Sequence, residues 1–245
     1  MGFSHLGLDN LIHGNPLAYS KMRTAVLCAM VYIDMGTNIG HQIRKVFEPH
    51  LYQGNPTESI FERYFGKNRE DVCVFGFEAN PIHSSRLKAL EHAYRNQGYE
   101  VTIHTETAVS TRAGDVSFYR DPGASIHNEW GAGLTLDIVA DKANPIIVNV
   151  SAIDMAEWMR VHIPLSAVVV MKSDIEGHDE TVLSHLYSHN QLCRVSAVYG
   201  EHMSSEWFSN TLNKLANDGC KTEMIMLDDE SGNDNLPLPS MRKNL

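Results

Sequence analysis

The sequence has no Cys-x-x-Cys pair, and its four cysteines (Cys28, Cys73, Cys193, Cys220) stand far apart. That spacing argues against a thiolate zinc site or a disulfide framework and predicts reduced, buried thiols. It also has no excess of positive charge: 20 Lys and Arg against 30 Asp and Glu give a formal net charge of −10. A duplex-nucleic-acid binder needs a basic face, so that class is set aside. No stretch approaches the roughly 20 apolar residues of a membrane span. No signal-peptide apolar region is seen. The chain opens Met-Gly, but Leu6 stands where a myristoylation signal has Ser or Thr. The expectation is a cytoplasmic protein with no membrane partner.

What is present is an ordinary globular composition, 43% hydrophobic and 20% charged over 245 residues, enough for one large α/β domain. We expect a single domain over 1–245, with a helical extension at 1–29 and a polar, loosely packed tail at 228–245. Apolar runs alternate with helical patterns, the signature of βαβ units on a doubly wound, mostly parallel sheet. Strands are predicted at Met30–Asp34, Asp71–Glu78, Glu100–Glu106, Ser166–Asp174 and Arg194–Glu201, with a last one in "KTEMIML". Between the first two lies an insertion long enough for an extra helix near Glu58–Phe65. "GDVSFYR" and "NPIIVNVSAID" read as antiparallel additions around a Gly-rich loop, Asp121–Asp137. Trp130 in that loop reads equally as part of a flap over an acceptor or as a packed surface residue.

The turn after the first strand, "IDMGTNIGHQI", brings backbone close to a ligand. It is not a dinucleotide fingerprint, because Thr37 stands where the second glycine belongs. It is not a Walker loop either, because His41 follows Gly40. A carboxylate at the strand tip, Asp34, would repel a pyrophosphate over the same helix N-terminus and would favour a ligand carrying positive charge. S-adenosylmethionine (SAM) is such a ligand, with a sulfonium, an amino group and no phosphate. Glu78, at the tip of the second strand, suits its ribose, since a carboxylate accepts from both hydroxyls. The competing reading is that Gly36 and Gly40 serve strand–helix packing and Glu78 caps the next turn.

The segments "IDMGTNIG", "FGFEANP", "TAVS…GDVSFY", "VSAIDMAEWM", "VVMKSDIEGHDETVL" and "YGEH" occur in this order. Together they closely resemble the FkbM-type SAM-dependent methyltransferases, over roughly Val31–His202. The resemblance implies a Rossmann-like fold of the class I methyltransferase type, SAM as cofactor, and a small-molecule hydroxyl acceptor such as a sugar or other natural product. Carried over motif by motif, it implies cofactor contacts from Asp34, Gly36, Asn38, Gly40, Glu78, Asn80, Thr107, Ala108 and Asp174. The sequence departs from the family pattern at Thr37, at the junction Ala79-Asn80-Pro81 and at Asp179.

A second constellation is "MKSDIEGHDE". Asp174 ends a strand, Glu176 lies beyond it, and the carboxyl-end rule brings Asp174, Glu201 and His202 to the same rim as Asp34 and Glu78. Helix capping competes as the role of Glu176 and Asp179. Candidate catalytic residues are Lys172, Asp174, His178 and His202, with the histidines as bases. Alternatively, Asp174, Glu201 and His202 could hold a divalent cation that acidifies the acceptor hydroxyl. The alternatives to O-methylation are N-methylation, a catalytically inactive SAM-binding protein, and an NAD-type oxidoreductase.

Overall fold

Val168–Val170 and Val72–Val74 are apolar at nearly every position, the pattern of strands covered on both faces. Such strands occupy the middle of the sheet. The computed structural model describes residues 28–123, 128–139, 141–142, 144–201, 203–227, 229 and 236–239. All but the last two residues of the expected N-terminal extension lie outside them.

The main sheet contains β1 (Met30–Met35), β2 (Val72–Glu78), β3 (Val101–Thr105), β7 (Val168–Ser173), β8 (Ala197–Gly200) and β9 (Glu223–Met226). Its order is β3-β2-β1-β7-β8-β9, and every pair is parallel. The second sheet holds β4 (Thr107–Ser110), β5 (Gly114–Arg120) and β6 (Ile146–Asp154), in the order β4-β6-β5. β5 runs antiparallel to β6 as expected, whereas β4 is parallel to it.

Alternation along the parallel strands sends their side chains into two cores. One face packs Tyr32, Val74 and Val170 against α1 (His41–Phe47), α2 (Glu58–Phe65) and α3 (Ser84–Arg95). The extra helix predicted in the insertion is α2, and its Ile60, Phe61 and Phe65 enter this core. The other face packs Ile33, Phe75 and Met171 against α4 (Met155–His162), α5 (Asp179–Ser188) and α6 (Ser205–Asn217). α4 starts where Asp154 accepts from the Ala156 and Glu157 amides, the arrangement that satisfies orphan donors at a helix start. No helix among the described residues is long and apolar enough to cross a membrane.

One expectation is corrected. The cysteines are not free thiols: Cys28 pairs with Cys73 and Cys193 with Cys220, with Cα–Cα distances of 5.6 and 5.0 Å. Cys28 precedes β1 and Cys73 lies early in β2; Cys193 precedes β8 and Cys220 precedes β9. Each pair staples the entering ends of two neighbouring parallel strands, contacts that only the strand order reveals. Of the expected tail, 228–245, the described residues are 229 and 236–239, and two of them are held. Lys45 Nζ lies 2.8 Å from Asp229 Oδ2, both buried, and Arg44 donates to the Leu236 carbonyl at 3.3 Å.

Reduction should therefore lower stability by roughly 2–4 kcal/mol per pair through the freed unfolded chain. Urea unfolding with and without reductant checks this, and coincident midpoints would show that the pairs do not form.

Candidate active site

The sheet's order reverses between β1 and β7, and ligands of open α/β sheets bind at such a reversal, beyond the carboxyl ends of the strands. A cavity opens there, with about 1210 Å³ of empty space including its mouth.

Register sets the floor. Gly76, Asp34, Lys172 and Tyr199 lie abreast on β2, β1, β7 and β8, so their side chains share one face. Gly76 contributes no side chain, and Thr37 covers it, donating from Oγ1 to the Asp34 carbonyl at 3.1 Å. Lys172 Nζ lies 2.9 Å from Asp174 Oδ2, 3.7 Å from Asp34 Oδ1, and donates to the Gly36 carbonyl at 2.8 Å. Burial disfavours the lysine's charge, but the carboxylates of Asp174 and Asp34 outweigh it and push its pKa up. Asp34 is fully buried and neither carboxylate oxygen has a hydrogen bond. Desolvation pushes it up to about 6 despite Lys172. Beside them, Tyr199 and Tyr32 share a hydroxyl–hydroxyl bond of 2.6 Å, and Tyr199 also donates to Gln42 at 3.3 Å.

The β1–α1 turn uses its two glycines differently. Gly36 has φ +83, and a Cβ there would come within 1.7 Å of the Asp174 carbonyl oxygen. Its bareness thus lets the ends of β1 and β7 touch. Gly40 has φ +91, and a Cβ there would meet Leu90 of α3 at 2.3 Å. Gly40 packs against α3 and is not among the residues lining the cavity. Asn38, at φ +48, presents its amide to Glu78 Oε2 at 2.6 Å.

Glu78 is the acid aimed into the cavity from β2. Its other oxygen, Oε1, accepts from the Asn80 amide at 2.6 Å. Burial raises its pKa to about 7 against the pull of these two bonds. The far wall comes from β4, through Thr107 and Ala108, from Phe118 of β5, and from the loop carrying Glu129, Trp130 and Leu134. Trp130 lines the cavity and is 36% exposed.

Of the sequence candidates, Gly36, Asn38, Glu78, Asn80, Thr107, Ala108, Lys172, Asp174 and Glu201 line one cavity. Asp34 lies beneath its wall, reaching it only through Lys172. His178 does not reach it. The chain turns through Glu176 and Gly177, both at positive φ, and leaves His178 in a separate shallow depression with Ser110, Ser117 and Tyr119. Asp179 spans the turn from inside, accepting from Ser173 Oγ at 2.5 Å and from the Ile175 amide at 3.2 Å; it ties the preceding turn, and the helix's N-cap is His178, with no side-chain capping bond. His202 lies outside the described residues. Among the described residues no three His, Cys, Asp or Glu side chains are grouped to hold a metal ion. The wall also includes His41, Gln42, His83, Glu129, Tyr199 and Asp229, which sequence reasoning missed. Tyr199 alone had a signal, standing two strand residues before Glu201 and hence on the same face.

The parallel sheet with its reversal at β1, the glycine turn and an acid at the tip of β2 together define a Rossmann-like fold of the class I methyltransferase type. The family model for the FkbM methyltransferase domain matches residues 34–226, and the chain belongs to that family. No curated protein and no solved structure matches it. The NAD-type oxidoreductase alternative is set aside by this membership.

Gly36→Ala should destabilise by roughly 3 kcal/mol or more, combining a backbone clash with a left-handed φ. Gly219→Ala, at φ +72 with nothing within 4 Å of its Cβ, should cost only about 1–2 kcal/mol. Equal losses in urea unfolding would show that Gly36 makes no such contact.

Proposed function

We propose that this protein transfers a methyl group from SAM to a hydroxyl of a sugar or other small natural product. The observation that carries the cofactor is the Glu78 carboxyl, buried at the tip of β2 beside the Gly36–Ile39 turn, on a wall whose one lysine is already held by two carboxylates. Among the described residues a phosphate would meet a wall richer in acids than in Lys or Arg; a cationic cofactor meets compensation.

When bound, SAM supplies a methyl group made electrophilic by a positive sulfur. Glu78 would accept from the ribose hydroxyls, and the Asn38 and Asn80 amides fix its oxygens for that task. Lys172 is neither base nor nucleophile, because its raised pKa keeps it charged; its part is to hold the tips of β1 and β7 together. Asp174, which lines the cavity with Oδ2 on Lys172, is the group we assign to orient the acceptor hydroxyl and take its proton. Orientation of acceptor against methyl supplies several kcal/mol, and a base adds roughly 10²–10⁴-fold. O- rather than N-methylation rests on the family resemblance, and product analysis with hydroxyl and amine acceptors decides it. The two disulfides favour an oxidising compartment over the cytoplasm. Thiol counting on protein alkylated in its native cells tests that, and four free thiols would refute it.

Calorimetry with S-adenosylhomocysteine (SAH), NAD and ATP tests the cofactor. SAH should bind and the other two should not. Ribose hydroxyls bond best to ionised Glu78, so binding pulls its pKa down and releases a proton. SAH affinity should then fall as pH drops through about 7, by up to about tenfold per unit. The free protein has the opposite sign: a carboxyl raised by folding contributes stability below its unfolded pKa and loses it as pH rises through about 7. Glu78→Ala should weaken SAH by roughly 1.5–3 kcal/mol and flatten the pH profile. Asp174→Asn should cut turnover far more than it lowers Tm. Absence of SAH binding to the wild type would sink the reading.

A further inference from the structure

We propose that Glu129 is a positioning residue for the cofactor's ribose, acting through Asn80, and that the turn it occupies links the acceptor wall to the cofactor carboxylate. The inference rests on the SAM reading above.

Glu78 is clamped by two backbone amides, those of Asn38 and Asn80, each at 2.6 Å. The side chains of the same two asparagines reach a single turn. Asn38 Nδ2 donates to the Asn128 carbonyl at 3.2 Å, and Asn80 Nδ2 donates to Glu129 Oε2 at 2.9 Å. Each asparagine thus holds Glu78 with its backbone and the 128–129 turn with its amide. The turn is itself well fixed. Arg120 grips the Glu129 carboxylate with two bonds, Nη2 to Oε1 at 2.7 Å and Nε to Oε2 at 3.1 Å. The ring Nε2 of His83 lies 3.0 Å from the Asn128 carbonyl.

The backbone conformation shows that these bonds hold the turn. Asn128 and Glu129 are consecutive residues with side chains at φ +59 and +54. Two such residues in a row cost free energy, and such conformations persist where surrounding contacts over-determine them. Glu129 is only 5% exposed. Burial raises the pKa of its carboxyl, but the bonds from Arg120 and Asn80 outweigh that and hold it below the ordinary value. The next residue, Trp130, stands at the mouth. An acceptor that moves the loop therefore pulls on the two asparagines that orient Glu78, and a cofactor that fixes Glu78 fixes the loop.

The decisive readout is the pH profile of SAH affinity. Besides its two amides, Glu78 faces Lys172 on β7 and Asp34 on β1, and the test variants touch neither. Glu129→Ala frees Asn80, weakens its amide's hold on the ionised carboxyl, and should move the pH at which SAH affinity falls upward. SAH affinity at pH 7 should drop about tenfold. Glu129→Gln keeps an amide oxygen for Asn80 and should recover most of both. Asn80→Ser keeps a hydroxyl to cap Ile82 but deletes the bond to Glu129; it should reproduce the Glu129→Ala profile and decides the matter if that variant does not fold. A lower Tm with wild-type SAH affinity and pH midpoint would overturn the proposal and make Glu129 a loop tether. A change confined to the acceptor KM would overturn it too. If wild-type protein binds no SAH, the cofactor reading fails instead, so the two failures are distinguishable.

Discussion

One ammonium group holds the site together. Lys172 lies in register with Asp34 on β1 and extends along the floor to reach Asp174 and the Gly36 carbonyl. An ionised carboxylate cannot be buried alone without a large cost, and Asp34 is buried completely. With Lys172 beside it the carboxyl still rises to about 6; without it, the floor of the cavity would carry an uncompensated charge or an extra proton. The same ammonium fixes the glycine turn, because the Gly36 carbonyl is one of its partners. From there the geometry propagates through backbone bonds. The amides of Gly36 and Thr37 donate to the Phe77 carbonyl at 3.1 and 3.0 Å, and the Asp174 amide donates to the Met35 carbonyl at 3.1 Å. The tips of β2, β1 and β7 are one unit.

On that unit the charges are arranged for a particular kind of ligand. Glu78, Glu129, Asp174, Glu176, Glu201 and Asp229 all line the cavity. Glu129 is answered by Arg120, Asp229 by Lys45, and Asp174 by Lys172. Glu78 is held by two backbone amides, and burial lifts its pKa to about 7 against their pull. A carboxyl in that condition gains when two hydroxyls are offered to it. In the proposed reading the ribose of SAM makes that offer, and its sulfonium and amino group bring positive charge to the acidic wall.

Much of this was legible in the sequence because it depends on strand ends. An acid at the end of an apolar run falls on the carboxyl rim once the strands are parallel, and Glu78 and Asp174 line the cavity there, whereas Asp34, one residue short of the end of β1, lies beneath its wall. The parallel order itself followed from alternating runs and helical stretches. What escaped notice depends on which element lies beside which. Gly40 reads the same in sequence whether it faces a ligand or Leu90. The cysteines are 45 and 27 residues apart within their pairs, and only the strand neighbours bring them together. His178 was placed by sequence adjacency to Asp174, but two residues at positive φ swing it away. Arg120 and Glu129 are separated by a loop whose fold no periodicity announces, and Gln42 and Asp229 meet only because the tail returns to α1.

The account stands on Lys172 compensating Asp34, and a double-mutant cycle measures that directly. Lys172→Met, Asp34→Asn and the double variant would be unfolded in urea at pH 8. Lys172→Met should cost roughly 3–5 kcal/mol, as breaking a buried pair from one side does. Asp34→Asn should cost much less, and adding it to Lys172→Met should restore a large part of the loss, giving a coupling of about 1–3 kcal/mol. Additive losses, with Lys172→Met costing no more than about 1 kcal/mol, the size of a surface pair, would contradict the account.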